Sequence, residues 1–190
     1  IEGNTYAGDV VGIPAIIHAP PESVTTAGRI RARNNEGTVL LIDAGSLTMT
    51  DSVFYGNSAY LGQEQGDHFG ASVHLISSAA EIEDCSFRRN RGDYGSAIFA
   101  SASNVTLRAC QLIQNSANEG GAIFAESGSN VQVQNLSLRL NEAHGRGGAI
   151  HAVDSSTLHV NGTNITSNSA TSNGAAVYIQ SSELVIVDSS

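Results

Sequence analysis

The chain has 190 residues, 41% of them hydrophobic, which is enough for one domain with a continuous core. Nine basic against eighteen acidic residues give a formal net charge of -9, which argues against a nucleic-acid partner. No run of about 18 apolar residues occurs, so no membrane span is expected in this segment.

The first residues, IEGNTYAGDVV, have no basic or apolar leader pattern and no initiating Met, and read as a processed or excised portion of a longer chain. From there the sequence repeats. Ile1 and Asn4, then GIPAIIHA ending at Ala19, then Ile30 with Asn34 behind it, are the first, loose copies. Two markers then recur in step. One is the second hydrophobic of GGAI-like stretches, at Val73, Ile98, Ile123, Ile150 and Val177, spaced 25, 25, 27 and 27 residues. The other is a large apolar residue with Asn three positions on: Phe54 and Asn57, Phe87 and Asn90, Leu112 and Asn115, Leu138 and Asn141, Ile165 and Asn168.

Within each unit, apolar residues alternate with period two. Ser96, Ile98 and Ala100 share one face and Ala97 and Phe99 the other, followed by Val105 and Leu107, then Cys110 and Leu112. A unit of this length with three short strands cannot close a core alone. Stacked units bury a shared interior, and each strand bonds to its counterpart about 4.8 Å along the axis. The fold class predicted is all-β: a right-handed parallel β-helix of about seven coils with three short strands each. The right hand follows from the preference of β-crossovers. Residues 1–190 are expected to form a single domain, a segment of a longer solenoid, with neither end recognisably capped.

Asn57, Asn90, Asn115, Asn141 and Asn168 are expected to tolerate a left-handed bend and to form a ladder of amide hydrogen bonds. The Gly column, Gly70, Gly95, Gly120, Gly147 and Gly174, reads as the tight re-entry into the next strand. GGAI at 120–123 and 147–150, with FYGN at 54–57 and FRRN at 87–90, resembles the GGAI and FxxN repeats of the chlamydial polymorphic membrane proteins. Those are autotransporter adhesins with β-helical passengers, and similar repeats occur in other pectin-lyase-like surface proteins. LIQN, LRLN and ITSN replace FxxN in later copies, and GAAV replaces GGAI at 174–177. The resemblance implies an extracellular or cell-surface solenoid.

One residue past the GGAI marker runs a column expected to face outward: His18, Leu41, His74, Phe99, Phe124, His151 and Tyr178. Ala97, Ala122, Ala149 and Ala176 flank it, and an exposed stripe of this kind would mark a partner face unless another segment covers it. His74 and His151 lie three coils apart, about 14 Å, so no metal site is expected, and no cofactor. Asn104, Asn135, Asn161 and Asn164 are N-glycosylation sequons at bends or outward positions. Cys85 and Cys110 fall in one inward column on adjacent coils, either as a disulfide or as two stacked free thiols.

The loops after the ladder Asn line one edge and carry Glu64, Asp67, His68, Asp93, Asn118, Glu119, His144 and Arg146. Solvated turns, with Glu119 and Arg146 as a surface ion pair, are the plain reading. Asp67 and Asp93 are the weak catalytic candidates, and RGD at 91–93 in a predicted exposed loop offers an integrin-like signal. Enzymes of the fold that the repeats resemble act on polysaccharides and need clustered carboxylates, which this chain does not concentrate. The function expected is therefore a non-catalytic structural or adhesive module. It would present a flat face to a protein or glycan surface or to copies of itself. A polysaccharide lyase or hydrolase, or a glycan-binding module, is the alternative.

Overall fold

The computed structural model describes residues 3–11, 17–19, 21–59, 70 and 72–190. Every strand pairing in it is parallel and joins one turn of the chain to the next. Sheet I stacks Ile17–Ala19, Leu40–Asp43, Val73–Ile76, Ile98–Ser101, Ile123–Glu126, Ile150–Ala152 and Val177–Ile179. Sheet II stacks Ser46–Thr50, Ala79–Glu83, Asn104–Arg108, Asn130–Gln134, Thr157–Asn161 and Glu183–Val187. Sheet III holds Val53–Tyr55, Ser86–Arg88, Gln111–Ile113, Ser137–Arg139 and Asn164–Thr166. The long strand Val24–Arg33 runs through both II and III, and Gly3–Val11 pairs along it. The right-handed solenoid makes about six turns rather than seven.

A fourth strand per turn was not anticipated. Arg91–Tyr94, Ser116–Glu119, Glu142–Ala143 and Ser169–Ala170 form sheet IV where turns were expected. RGD at 91–93 is consequently part of a ladder, with Gly92 buried, and not the tip of an exposed loop. The first copies also shift. Asn4 pairs with Thr25 in the sheet II register and is no ladder rung. The first rung among the described residues is Asn35, not Asn34.

The corners explain the ladders. In the turn over 98–119, Ala102, Ala109 and Gln114 have φ of 50°, 50° and 56°, and each is followed by a buried residue, Ser103, Cys110 or Asn115. The left-handed bend is thus taken by the residue before the ladder Asn and not by the Asn itself. The backbone swings away there, so the following amide is accepted by a side-chain atom one turn on. Ser78 N–H donates to Ser103 Oγ (3.0 Å), Cys85 N–H to Cys110 Sγ (3.4 Å) and Asn90 N–H to Asn115 Oδ1 (3.1 Å). Three inward columns of small polar side chains therefore satisfy buried donors that the β-ladder cannot reach.

Between those columns the interior is apolar. Phe54 and Phe87 stack with centroids 5.0 Å apart, and Leu112 and Leu138 continue their column. Ile98, Ile123 and Ile150 form another column, fully buried. The alanines beside them correct the expected outward stripe. Ala122 and Ile123 both donate to Ala149 O, each at 3.0 Å, and Ala97 and Ile98 do the same to Ala122 O. Two successive amides on one carbonyl make a bulge that resets the alternation. Ala97, Ala122 and Ala149 join the core in consequence.

Candidate functional site

The aromatic column has the predicted register: His18, Leu41, His74, Phe99, Phe124, His151 and Tyr178 pair one above another. Its predicted exposure is wrong. Only His18 is exposed, whereas His74, Phe99, Phe124 and His151 are at most 5% exposed and Tyr178 is half-buried. The rings run as a continuous stack, with centroid separations of 4.6, 5.8, 5.1 and 4.9 Å from His74 to Tyr178. Residues leading out of sheet IV roof it. Tyr94 packs edge-on to Phe124 at 4.9 Å, Glu119 Oε2 approaches His151 Nδ1 to 3.0 Å, and the Arg146 guanidinium lies 5.3 Å above Tyr178. The strand the sequence hid is the reason: its exit folds over the face that period-two alternation assigns to solvent.

Burial pushes His74 down to about 4, partly opposed by the charge of Asp43. His151 is lowered for the same reason, against the pull of Glu119. Glu119 also accepts the Arg146 backbone N–H at 2.9 Å, so these two are linked through the main chain and not by the expected side-chain ion pair. Within the edge, Asp93 is half-buried and accepts from Asn118 Nδ2 at 2.8 Å. His144 faces the same small groove as Arg91 and Asn118, of about 170 Å³. Glu64, Asp67 and His68 lie outside the described residues.

Cys85 and Cys110 are buried free thiols, not a disulfide. Each S–H donates to a carbonyl two residues back, Glu83 O and Arg108 O, both at 3.1 Å. They do the work that Ser52 Oγ does one turn earlier, where it bonds Thr50 O and accepts from Ile30 N. The hydrogen bond to Cys110, and then burial, push the Cys85 thiol up. The sequon residues Asn104, Asn135, Asn161 and Asn164 are all exposed, on sheets II and III and the corner between them.

Sheet III carries the feature that the sequence reading missed. Its outward residues form two columns, Arg31, Val53, Ser86, Gln111, Ser137, Asn164 and Arg33, Tyr55, Arg88, Ile113, Arg139, Thr166. The left-handed corner adds a third: Asn34, Gly56, Arg89, Gln114, Leu140, Ser167. Five of the chain's nine arginines stand in these columns, all exposed, and the one carboxylate residue among the described residues of the columns is Asp9, paired with Arg31 one turn before it. Neutral groups hold two of the guanidinium groups. Arg88 Nε donates to Ser86 Oγ (3.0 Å) and its Nη2 to Gln111 Oε1, while Arg89 donates to Gln114 Oε1 (3.1 Å) and Tyr55 Oη (3.0 Å). A groove of about 780 Å³ opens here, lined by Arg33, Tyr55, Arg88 and Gln111, with Asp84 on its far wall. The signal was available: the second letter of FYGN, FRRN and LRLN is the column that faces out.

Parallel sheets stacked on hydrogen-bonded side-chain ladders define a β-solenoid. The chain matches the family described as "Right handed beta helix region" over residues 15–138, and it belongs to that family. Comparison with curated proteins and with solved structures returned no match.

Proposed function

We propose that the chain is a non-catalytic module of an extracellular or cell-surface β-helix, adhesive in role, that presents a flat sheet face to a partner surface. The observation that carries this reading is the outward face of sheet III, where three registered columns run straight along the axis and expose arginines and amides. The inward polar groups support it too, because the Asn, Ser and Cys columns are engaged in holding the turns together. The GGAI and FxxN repeats, which resemble those of autotransporter adhesin passengers, add the surface location, and the exposed sequons are compatible with it. The face formerly assigned to the aromatic column passes to sheet III. Beads coated with the purified chain are expected to adhere to cell coats or matrix-coated wells.

A second reading, a polysaccharide-cleaving enzyme, draws on Asp93 beside Asn118 and His144 at the edge. A cleavage screen on acidic polysaccharides separates the two. Turnover abolished by Asp93→Asn overturns the non-catalytic reading, and adhesion without turnover supports it.

A further inference from the structure

We infer that the outward face of sheet III is a binding groove for a linear sulfated polysaccharide lying along the solenoid axis. Charge complementarity is the first argument. On a chain of net charge -9, Arg31, Arg33, Arg88, Arg89 and Arg139 share one face, and among the described residues its three columns hold a single acid, Asp9, in register with Arg31 one turn before it. None of the five makes an ion pair among the described residues; the bonds recorded for Arg88 and Arg89 go to neutral oxygens, which orient the guanidinium and leave its charge uncompensated.

Spacing is the second. Arg33, Arg88 and Arg139 recur every second turn of one column, with Tyr55 and Ile113 between them. At the strand separation that is about 10 Å, on the scale of a disaccharide. The remaining arginines stand to either side, Arg31 one column away and Arg89 on the corner. Anions are therefore wanted on both edges of the ligand, as sulfate groups are carried along a hexose ribbon, whereas a uronate chain bears one carboxylate on its sugar acid.

The uncharged lining is the third. Gln111, Ser86 and Asn34 offer donors and acceptors to sugar hydroxyls, and Tyr55, with Arg89 5.8 Å from its ring, offers a platform. A single aromatic residue among the described residues lining the groove suits a sugar chain better than unstacked bases.

This assignment rests on the face-presenting reading above, and its test separates the two. The whole chain is titrated onto immobilised heparin, desulfated heparin, hyaluronan, dextran and a single-stranded oligonucleotide. Heparin is expected to bind, more weakly as salt rises, with the other probes much weaker. Arg88→Gln with Arg139→Gln should weaken heparin binding about tenfold or more, while Arg108→Gln, on sheet II, leaves it unchanged. Arg31→Gln with Arg33→Gln should do the same as the first pair, which keeps the test decisive if that pair unfolds by circular dichroism. Equal binding by wild type and both folded double variants, or equal binding to desulfated heparin or to the oligonucleotide, overturns the assignment. Bead adhesion without heparin binding defeats the glycan assignment alone; polysaccharide turnover defeats the reading beneath it.

Discussion

Asn115 Oδ1 accepts two hydrogen bonds from Asn90, one from the backbone N–H at 3.1 Å and one from Nδ2 at 3.0 Å. Asn115 Nδ2 in turn reaches Phe87 O at 3.0 Å and Asn141 Oδ1 at 3.1 Å. One buried side chain thus serves three turns. Asn115→Ala leaves the Asn90 donors, Phe87 O and Asn141 Oδ1 short of a partner in a dry interior. The expected loss is about 3 kcal/mol or more, read from the denaturant midpoint. A loss below about 1 kcal/mol would mean that the ladder contributes little.

Glycine is demanded at the re-entry into sheet I for two separable reasons. Gly120 has φ of 61°, and a Cβ there would stand 2.3 Å from Ile123 O, whereas Gly128 has φ of 74° with nothing within 4 Å. Gly128→Ala should therefore cost only the left-handed strain, about 1 kcal/mol. Gly120→Ala adds a backbone clash and should cost at least twice as much. Equal thermal shifts for the two would contradict the packing described.

Acidification should destabilise the fold through the buried histidines. His74 is lowered to about 4 by burial, below the 6.5 of an unfolded histidine. Between those values the unfolded state binds more protons. This contribution is therefore fully present above about pH 6.5 and is lost as pH falls toward 4, by about 3 kcal/mol. His151, lowered also by burial, acts in the same direction. His74→Phe with His151→Phe, which places in both positions the residue found at Phe99 and Phe124, should flatten stability across that window. An unchanged pH slope would sink the assignment.

The two thiols should resist alkylation in the native chain and both react after denaturation, since each is 1% exposed and hydrogen-bonded. Cys85→Ser should cost about 1 kcal/mol or less, because Ser52 already fills the equivalent corner with the same pair of bonds. Two thiols that stay unreactive in denaturant would indicate a bridge instead.

Much of this fold is legible in the sequence because its repeats are local and its period is two. The columns of Ile98, Ile123 and Ile150 and of Asn57 to Asn168 follow from spacing alone. What escapes is whatever breaks the period or reaches across a turn. The bulge at Ala122 and Ile123 changes phase with no residue inserted, so Ala149 looks outward on paper and is buried in the fold. Sheet IV is too short and too polar in Ser116–Glu119 to show a strand pattern, and with it went the roof that Tyr94 and Glu119 place over Phe124 and His151. The arginine face escaped differently. Arg33, Arg88 and Arg139 are far apart in sequence, and only registered stacking makes them neighbours along one column.

Footprinting of arginines by phenylglyoxal and mass spectrometry, with and without saturating heparin, tests the central functional claim most directly. Free chain should be labelled at Arg31, Arg33, Arg88, Arg89, Arg108 and Arg139, all exposed. Heparin should protect the five on sheet III and its corner and leave Arg108 as reactive as before. Protection spread evenly over the arginines, or confined to Arg91 and Arg146 at the sheet IV edge, would contradict the account.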